Sequence, residues 1–436
     1  MQERAGEGEG DGGGGVQWGM VSVEDILAAR ERLRGGVLVT PCGPSLTLGE
    51  ICGCRVFVKK EYLQTTGSFK ERGARNTLLQ LTADQRTRGV IAASAGNHAL
   101  ALAYHGKQLG IPVTVVMPVY APIIKQSRCR GMGAAIVLEG QTLSDARVRA
   151  DAIAAEKGLT YINGFDDPRV IAGTGTIALE VLEQVEGLDA IVVPVGGGGL
   201  VAGVSLAVKA LAPHVKIIGV QPQRCPSFSA ALAAGAPVRV PTSPTLADGL
   251  AVPMIGPNSF EIARSRVDEV VEVGEEELAL AILRIAECEK GVVEGAGAAA
   301  LAAFVSGRLR FPHGKRVCLL LCGGNIDPTV LGRVIDRALV VDGRVTQFSA
   351  VIPDRPGGLA ELAAVLAGAG VSVKQIEHER AFHATDISTV KVLCTVETRD
   401  ALHVEELHEE LRRRGIAVIA RTLPGMCPVP GGPREA

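Results

Sequence analysis

Short apolar runs rich in β-branched residues alternate with alanine-rich stretches along most of the first 340 residues. The runs that could form strands are 55–61, 89–94, 112–118, 134–140, 189–195, 216–222 and 316–322. Helical stretches begin near residues 97, 121, 142, 172, 199, 276 and 296. Near-continuous apolar strands separated by helices are typical of parallel sheets covered on both faces. The span is long for one sheet, so the pattern predicts an α/β protein with two lobes and a cleft between them.

The amino-acid composition limits the kinds of partner that the protein can bind. The 436 residues are 47% hydrophobic, which suffices for two or three cores. The 45 basic and 47 acidic residues nearly cancel, without blocks of like charge, so no nucleic-acid-binding face is indicated. No long uninterrupted apolar run predicts a membrane span.

The chain ends and the cysteines indicate a cytoplasmic enzyme. Residues 1–20 are glycine-rich and acidic, so we expect a disordered tail without the features of a signal or transit peptide. The ten cysteines include no CxxC pair and are expected to be reduced thiols. Ser22 and Asp25 resemble a capping box that opens a first helix.

The pattern changes after about residue 340. A strand, a turn and an amphipathic helix are followed by two alternating strands at 370–380 and 388–398, a second helix and a last strand. This βαββαβ order predicts a ferredoxin-like α+β domain over residues 345–423. The Pro/Gly-rich residues 424–436 are expected to form a disordered tail.

The stretch VPVGGGGLVAG (193–203) is the clearest candidate site. Its four consecutive glycines follow an apolar strand and precede a helix, where bare N–H groups favour a phosphate. With Ala202 the run also satisfies a GxGxxA dinucleotide pattern. That pattern requires an acidic residue at the end of the next strand, where this chain has Gln221. A tight turn alone would explain one or two glycines, so the run predicts a phosphate site.

Three further stretches end in residues that could carry chemistry. Asn97, in SAGNHA, opens a helix whose N–H groups could hold a carboxylate, although Asn97 could simply cap that helix. Cys322 ends a strand at the edge where open α/β sheets bind ligands, although inert buried cysteines are common. Glu294 precedes a small-residue helix, where a capping carboxylate is the simpler interpretation.

Lys70, in TTGSFKERGA (65–74), joins these pieces if the ligand is pyridoxal phosphate. This cofactor needs an amine for its aldehyde, a cradle for its phosphate, a donor to its ring oxygen and a group beside its ring nitrogen. Lys70, the loop 196–199, Asn97 and Cys322 have the right chemical types for these four tasks.

The motifs SFKERGA, SAGNHA, GGGGL and CGGN, in this order, resemble the threonine/serine dehydratase branch of the fold-type II (tryptophan-synthase-β-like) pyridoxal-phosphate enzymes. The resemblance covers about residues 22 to 337. It implies a two-lobed parallel-sheet catalytic domain over residues 21–338, with a small lobe at roughly 65–165 inserted in the large lobe. The C-terminal part, with IPDRPGGLAEL, resembles an ACT domain, a module that commonly binds amino acids.

The resemblance also implies residue roles. Lys70 would form the internal Schiff base and then remove the Cα proton, which requires a pKa depressed by burial. Phe69 would pack against the ring, Asn97 would bond the ring hydroxyl, and Cys322 would face the pyridine nitrogen. The remaining cofactor-binding residues would be Gly196, Gly197, Gly198, Gly199, Leu200 and Glu294. The substrate pocket would be lined by Ser94, Ala95, Gly96, Asn97 and His98.

A thiol beside the ring nitrogen favours one reaction type. It cannot keep that nitrogen protonated as a carboxylate would, so the ring is a weaker electron sink. Quick expulsion of a β-hydroxyl is consistent with this. The expected reaction is the dehydration and deamination of L-threonine to 2-oxobutyrate, and of L-serine to pyruvate, with release of ammonia.

Other functions are weighed against this one. Serine racemases have a serine as second base where this chain has Ala95, which cannot transfer a proton, so racemisation should be weak. A 3-hydroxyaspartate dehydratase stays open. The place of the racemases' cation site holds Gln221 and Ser227, so no divalent metal is expected. A non-catalytic sensor and a nicotinamide enzyme are less favoured.

The ACT-like part is expected to be regulatory, although it could serve only for dimerisation. A turn that offers backbone N–H groups and a helix start suits the carboxylate of an amino-acid effector. The residues of this turn are Asp354, Arg355, Pro356, Gly357 and Gly358. Inhibition by isoleucine or valine is the expectation from the family. The resemblance implies a homodimer or homotetramer.

Overall fold

The computed structural model describes residues 21–379 and 388–420. The helices are α1 (Val23–Leu33), α2 (Leu46–Cys52), α3 (Lys70–Leu79), α4 (Ala83–Arg88), α5 (Asn97–Leu109), α6 (Ile123–Gly131), α7 (Leu143–Lys157), α8 (Pro168–Gln184), α9 (Gly199–Leu211), α10 (Ser227–Ala234), α11 (Pro257–Ala263), α12 (Glu275–Glu289), α13 (Gly295–Val305), α14 (Pro328–Val341), α15 (Gly358–Gly368) and α16 (Ala401–Arg413). The expected tails at 1–20 and 424–436 lie outside the described residues.

The strands form three separate sheets. They are β1 (Cys42–Ser45), β2 (Arg55–Lys59), β3 (Val90–Ala93), β4 (Val113–Met117), β5 (Ala135–Leu138), β6 (Thr160–Tyr161), β7 (Ala190–Pro194), β8 (Lys216–Pro222), β9 (Glu269–Val273), β10 (Arg316–Leu320), β11 (Val345–Pro353), β12 (Ser372–Glu379), β13 (Thr389–Glu397) and β14 (Ala417–Ala420). All seven strands predicted for the first 340 residues are present.

The largest sheet has six strands in the order β1-β2-β10-β7-β8-β9. Five strands are parallel, and β1 pairs with β2 antiparallel. This sheet is therefore mixed, whereas the sequence pattern predicted a parallel sheet. Alternate residues of β10 enter different clusters, with Cys318 and Leu320 on one face and Val317 and Leu319 on the other. Burial on both faces explains why the central strands read as continuous apolar runs.

Three strands of the first 340 residues were not predicted, and each lacks the apolar run used to find the others. β1 contains Gly43 and Pro44, and Pro is tolerated chiefly at sheet edges. β6 has only two residues, and β9 is an edge strand in which two of the five residues are glutamates. Edge strands need only one buried face, so their hydrophobic signal is weak.

The second sheet has four parallel strands in the order β5-β4-β3-β6. Its strands come from the stretch between β2 and β7 of the larger sheet. One face packs on α3, α5 and α6 through a cluster that includes Leu78, Leu102 and Val115. The other face packs on α7 through Ala146, Ala150 and Ile153. The first 340 residues therefore build two covered sheets, which agrees with the predicted architecture.

The third sheet is antiparallel, with the strand order β12-β13-β11-β14. Helices α15 and α16 pack on it, and Phe348, Leu362, Val392 and Leu407 are fully buried in its core. The chain order is βαββαβ, as predicted. Residues 380–387 and 421–423 of the predicted domain lie outside the described residues.

Local signals in the sequence explain where helices begin. The Ser22 hydroxyl accepts from Asp25 N at 3.3 Å while the Asp25 carboxylate accepts from Ser22 N at 2.9 Å, which confirms the capping box. α8 begins at Pro168, earlier than predicted, because Asp167 caps it and Pro occupies its first turn. None of the helices in the two described ranges is long and apolar enough to cross a bilayer.

Candidate active site

The candidate residues follow strands of the six-stranded sheet or of the parallel four-stranded sheet, or lie at the start of helices. Asn97 begins α5 just after β3, and the glycine loop separates β7 from α9. Cys322 follows β10 by two residues, and Lys70 is the first residue of α3. Glu294 is the residue before α13. Because the carboxyl ends of parallel strands face one edge, this arrangement gathers residues from distant positions in the sequence.

Lys70 is held by a backbone oxygen. Its Nζ donates to Gly164 O at 2.6 Å and lies 5.1 Å from the centre of the Phe69 ring. Burial lowers the pKa of Lys70 to about 8, although Cys322 and Glu294 act in the opposite direction. A substantial fraction of the amine is therefore neutral near physiological pH, as a nucleophile or a proton acceptor must be.

The segment before Lys70 is tied to the end of β10. Phe69 N donates to Cys322 O at 3.0 Å, and Gly324 N donates to Gly67 O at 2.9 Å. Ser68 and Gly323 form an antiparallel bridge between these contacts. Gly67 has φ +80°, a conformation that favours glycine. The chain entering α3 is thus fixed to the larger sheet, which sets the position of Lys70.

Asn97 lies between two polar side chains, those of Glu294 before α13 and of Asn325 in the loop after β10. Its Nδ2 donates to Glu294 Oε1 at 2.5 Å, and its Oδ1 accepts from Asn325 Nδ2 at 2.9 Å. The interpretation of Asn97 as an N-cap is wrong, because Gly96 occupies that position and no side chain caps α5. Asn97 instead belongs to a series of hydrogen-bonded side chains that also includes Asn325 and Glu294.

Glu294 is buried with only 7% of its surface exposed. It occupies the N-cap position of α13, but its side chain makes no capping hydrogen bond, so it is not the capping carboxylate of the simpler interpretation. Burial first, and then the charge of Asp248, raise the pKa of Glu294 to about 7, while the bond from Asn97 lowers it. Glu294 can therefore exchange a proton near neutral pH.

Cys322 remains a neutral thiol. Its Sγ donates to Ala296 O at 3.4 Å, and the side chain is buried. Burial, followed by the charge of Glu294, raises the pKa of this thiol well above its usual range. Each cysteine within the described residues is likewise a free thiol, in line with the expectation from the sequence.

The glycine loop is buried and closely packed. Gly198 has φ +95°, and an added Cβ there would lie 2.7 Å from Ile255 Cγ1. Added Cβ atoms on the glycines at either side would collide with Phe165, so these positions accept no side chain. Within the described ranges, the N–H groups of residues 197–200 donate to no other residue. Buried N–H donors at a helix start form a site for an anion.

The loop 163–166 was not recognised in the sequence, although it connects the lysine to the glycine loop. Gly164 supplies the carbonyl that accepts from Lys70, and Phe165 packs beneath the glycines. The Asn163 side chain accepts from the N–H groups of Phe165 and Asp166, both at 3.0 Å, which shapes the loop. The Asn-Gly dipeptide followed by Asp-Asp-Pro was the available signal, since such residues mark turns.

The predicted substrate segment combines half-buried residues with one buried histidine. Residues 94–97 are partly accessible, and the Ser94 hydroxyl accepts from Gly96 N at 3.3 Å. His98 Nε2 lies 3.2 Å from Ile162 O. Burial, with a contribution from the charge of Lys70, lowers the pKa of His98 to about 4. His98 is therefore neutral at pH 7.

A family model described as "Pyridoxal-phosphate dependent enzyme" matches residues 33–323, which is more than half of the chain. The chain belongs to this family of pyridoxal-phosphate dependent enzymes. The family match spans the lysine segment, the asparagine segment, the glycine loop and Cys322.

The residues present fit the family's cofactor, pyridoxal phosphate. The unpaired N–H groups at the start of α9 suit its phosphate, and the Lys70 amine suits its aldehyde. By contrast, Gln221 is fully buried, with its Nε2 donating to Ser229 Oγ at 2.5 Å and its Oε1 accepting from Phe228 N at 3.0 Å. Gln221 is therefore not available to hold a ribose, which speaks against a nicotinamide site.

Known proteins resemble the chain in sequence and in fold. The L-threonine ammonia-lyase of Thermotoga maritima is 44% identical over 399 residues, which are 92% of this chain and 99% of the relative. A solved threonine deaminase from the organism abbreviated T.th. is 40% identical, with a TM-score of 0.66 over 70% of this chain and 99% of that one. Maize serine racemase is 32% identical, with a TM-score of 0.69 over 74% and 98%.

The predicted effector turn connects β11 to α15, and Gly357 has φ +96°. Some of its N–H groups are already used. Asp354 N donates to Ser388 O at 2.9 Å, Arg355 N to Pro353 O at 3.0 Å, and Gly358 N to Arg355 O at 3.1 Å. A carboxylate at this turn would therefore have to use groups further along the chain, towards the start of α15.

Proposed function

We propose that this chain dehydrates and deaminates L-threonine to 2-oxobutyrate and ammonia, and L-serine to pyruvate and ammonia. One observation carries the proposal: the Lys70 amine, with a pKa of about 8, lies where the glycine loop, the Asn97–Glu294 pair and Cys322 meet. The L-threonine ammonia-lyase relative, matched over 92% of this chain, supports the choice of reaction.

Lys70 is the residue that moves protons in this proposal. Bound pyridoxal phosphate supplies an electron-withdrawing ring that makes the substrate Cα–H bond acidic. The neutral Lys70 amine takes the Cα proton, and the carbonyl of Gly164 orients the amine through its hydrogen bond. Phe69 packs beside the lysine, and Asn97 would offer its amide to the ring hydroxyl.

Cys322 and Glu294 set the charge of the site. Cys322 would face the ring nitrogen as a neutral thiol, which cannot keep that nitrogen protonated, and this would favour loss of the β-hydroxyl. Glu294 would support the cofactor site through its hydrogen bond with Asn97. The phosphate would be held by the backbone donors of Gly196, Gly197, Gly198, Gly199 and Leu200.

The substrate carboxylate binds at the start of α5. The segment that lines it is Ser94, Ala95, Gly96, Asn97 and His98, where helix N–H groups favour an anion. His98 is neutral and hydrogen-bonded to the backbone, so it shapes the pocket without adding a charge.

Serine racemisation is the second candidate, because maize serine racemase shares the fold. Racemisation needs a proton donor on the face opposite to Lys70. The side chain at the corresponding position is Ala95, which has no exchangeable proton. We therefore expect elimination to dominate over racemisation.

We further propose that the C-terminal antiparallel domain is an ACT domain over residues 345–423 that makes the enzyme allosteric. It would bind an amino-acid effector, such as isoleucine or valine, near the turn 354–358. Its βαββαβ order and its own buried core support this proposal. The catalytic domain would span 21–338, and the protein would be a cytoplasmic homodimer or homotetramer.

The experiment is the release of 2-oxo acids from a panel of L- and D-hydroxyamino acids. We expect 2-oxobutyrate from L-threonine, pyruvate from L-serine and little product from D-isomers. Lys70→Ala should abolish release, whereas Lys107→Ala, at an exposed lysine of α5, should not. Equal product from wild type and Lys70→Ala would refute the mechanism.

Regulation is tested on the full chain by adding L-isoleucine or L-valine to this assay. Gly357→Ala is the variant of choice, because its positive φ resists a side chain while no atom lies within 4 Å of the added Cβ. We expect inhibition in the wild type and a weaker response in the variant. An identical response in both would place the effector elsewhere.

A further inference from the structure

Four polar side chains form a continuous chain from the surface to the candidate site. Arg128 Nη1 donates to Asn325 Oδ1 at 3.1 Å, and Asn325 Nδ2 donates to Asn97 Oδ1 at 2.9 Å. Asn97 Nδ2 then donates to Glu294 Oε1 at 2.5 Å. Arg128 lies on α6 and Asn97 on α5, whereas Asn325 lies in the loop after β10 and Glu294 directly before α13.

The chain has a direction because its two ends differ in chemistry. A guanidinium only donates hydrogen bonds, and an ionised carboxylate only accepts them. Arg128 therefore requires the oxygen of the Asn325 amide to face it, which turns the nitrogen towards Asn97. Asn97 must then present its oxygen to Asn325 and its nitrogen to Glu294. If either amide turned over, like groups would face each other.

The neighbourhood of Asn325 supports this orientation. Its Nδ2 also donates to Thr66 O at 2.7 Å, an oxygen four residues before Lys70. An added Cβ at Gly67 would lie 2.8 Å from Asn325 Oδ1, so the amide packs closely against the lysine segment. Among the residues described, Arg128 donates the hydrogen bond that Asn325 Oδ1 accepts. A variant without the Arg128 guanidinium would leave this oxygen without that donor.

We propose that Arg128 is a positioning residue that, together with the carbonyl of Thr66, fixes the donor–acceptor direction of the Asn325–Asn97–Glu294 chain. It thereby sets which atom of the Asn97 amide the cofactor meets and how readily Glu294 takes up a proton. The inference rests on the proposed function, since it concerns the same cofactor site. It adds a residue of α6, outside the four motifs, to the control of that site.

Glu294 also responds to other charges, which the test must separate. The charges of Asp248 and Lys125 influence the pKa of Glu294, and the charge of Glu294 influences the pKa values of Lys70 and Cys322. Lys125 pairs with Asp248 at 3.3 Å and lies three residues before Arg128 on the same helix. A glutamate at position 128 could draw Lys125 away, so Lys125→Met is a necessary control.

The test compares Arg128→Lys, Arg128→Met and Arg128→Glu in the cofactor-loaded protein. Lysine keeps a donor, methionine removes it, and glutamate replaces it by an acceptor that opposes the observed direction. We expect kcat for L-threonine to fall less than about twofold in Arg128→Lys, about threefold in Arg128→Met and about tenfold or more in Arg128→Glu. KM should change little. Arg130→Glu, an exposed position on the same helix, should behave like the wild type.

The second readout is the visible absorption of the bound cofactor as a function of pH. If the Asn97 amide turns over, only protonated Glu294 can pair with it. The spectral midpoint, which is the pH at which half of the change in absorption has occurred, should therefore be higher in Arg128→Glu than in the wild type. The shift should exceed that of Lys125→Met and of Arg130→Glu. It should also persist at about 0.5 M salt, which screens exposed charges.

Asn325→Asp provides an independent variant. A carboxylate of nearly the same shape cannot donate to Thr66 O or to Asn97 Oδ1, so this change should shift the spectral midpoint in the same direction. The proposal is overturned if Arg128→Glu shifts the midpoint no more than Arg130→Glu or Lys125→Met, or if salt removes the shift. If the wild type binds the cofactor but releases no 2-oxobutyrate, the proposed function fails while the spectral titration still decides the role of Arg128.

Discussion

The Nζ atom of Lys70 donates a hydrogen bond to the carbonyl oxygen of Gly164, 94 positions later in the chain, at 2.6 Å. This contact joins the first turn of α3 to the loop that packs under the glycines. A neutral amine that donates one hydrogen bond keeps its lone pair for another partner. The contact therefore fixes the amine without blocking its reactivity.

The depressed pKa of Lys70 can be measured without cofactor. We expect competitive acetylation of the apoprotein to modify Lys70 half-maximally near pH 8, because the buried amine is protonated below that pH and neutral above it. The ordinary pKa of lysine in model peptides is about 10.4, so a lysine-containing peptide labelled in the same reaction provides the reference. Peptide mapping after labelling follows the modification of Lys70 itself. If Lys70 and the reference peptide titrate together, burial does not control Lys70.

Gly164→Ala should impair the positioning of Lys70. An added Cβ would lie 2.9 Å from the His98 ring, so the loop carrying the carbonyl must move. We expect kcat to fall about tenfold or more, because small misplacements of reacting groups are costly. Gly332→Ala in α14, where no atom lies within 4 Å of the added Cβ, is the control. Equal activity in both variants would contradict the assigned role of Gly164.

Gly198→Ala should weaken cofactor binding. The residue has φ +95°, which costs a non-glycine residue about 1–3 kcal/mol, and the added Cβ would approach Ile255. We expect the dissociation constant for pyridoxal phosphate to rise at least about tenfold. Titration of the apoprotein, followed by visible absorption, provides the measurement. Unchanged affinity would mean that the loop does not hold the phosphate.

Arg72→Met should destabilise the fold. Arg72 is 1% exposed and pairs with Glu61 at 2.7 Å and with Glu180 at 2.6 Å. Its removal leaves buried carboxylates without their partner, which costs about 3–5 kcal/mol. The free energy of unfolding in urea measures this loss.

The matched control for Arg72→Met is Arg30→Met. The side chains of Arg30 and its partner Glu183 are 41% and 57% exposed, so losing this pair should cost less than about 1 kcal/mol. Equal losses in the two variants would show that the buried network contributes no more to stability than a surface pair.

The sequence revealed much of the fold because the signals were local. Seven strands appeared as apolar runs, and the motif residues follow strand ends or begin helices, where ligands bind in such sheets. Lys70, Asn97 and the glycine loop could be found for this reason. The interpretations of Asn97 and Glu294 as caps failed because their partners come from other parts of the chain.

What the sequence did not reveal depends on long-range contacts. Gly164 serves the site through a backbone oxygen, which leaves no trace in residue type. Asn325 is part of the CGGN motif, but its place between Arg128 and Asn97 follows from the packing of two sheets. Edge strands β1 and β9 have only one face to bury, so their pattern is weak.

The placement of β10 has a consequence for biosynthesis. This strand lies between β2 and β7, yet it is the last of the six in chain order. A ribosome must therefore release the chain beyond Leu320 before the sheet can close, and until then two unpaired edges are exposed. The nascent protein faces a period of vulnerability to aggregation that ends only when this late strand inserts and brings Cys322 against Phe69.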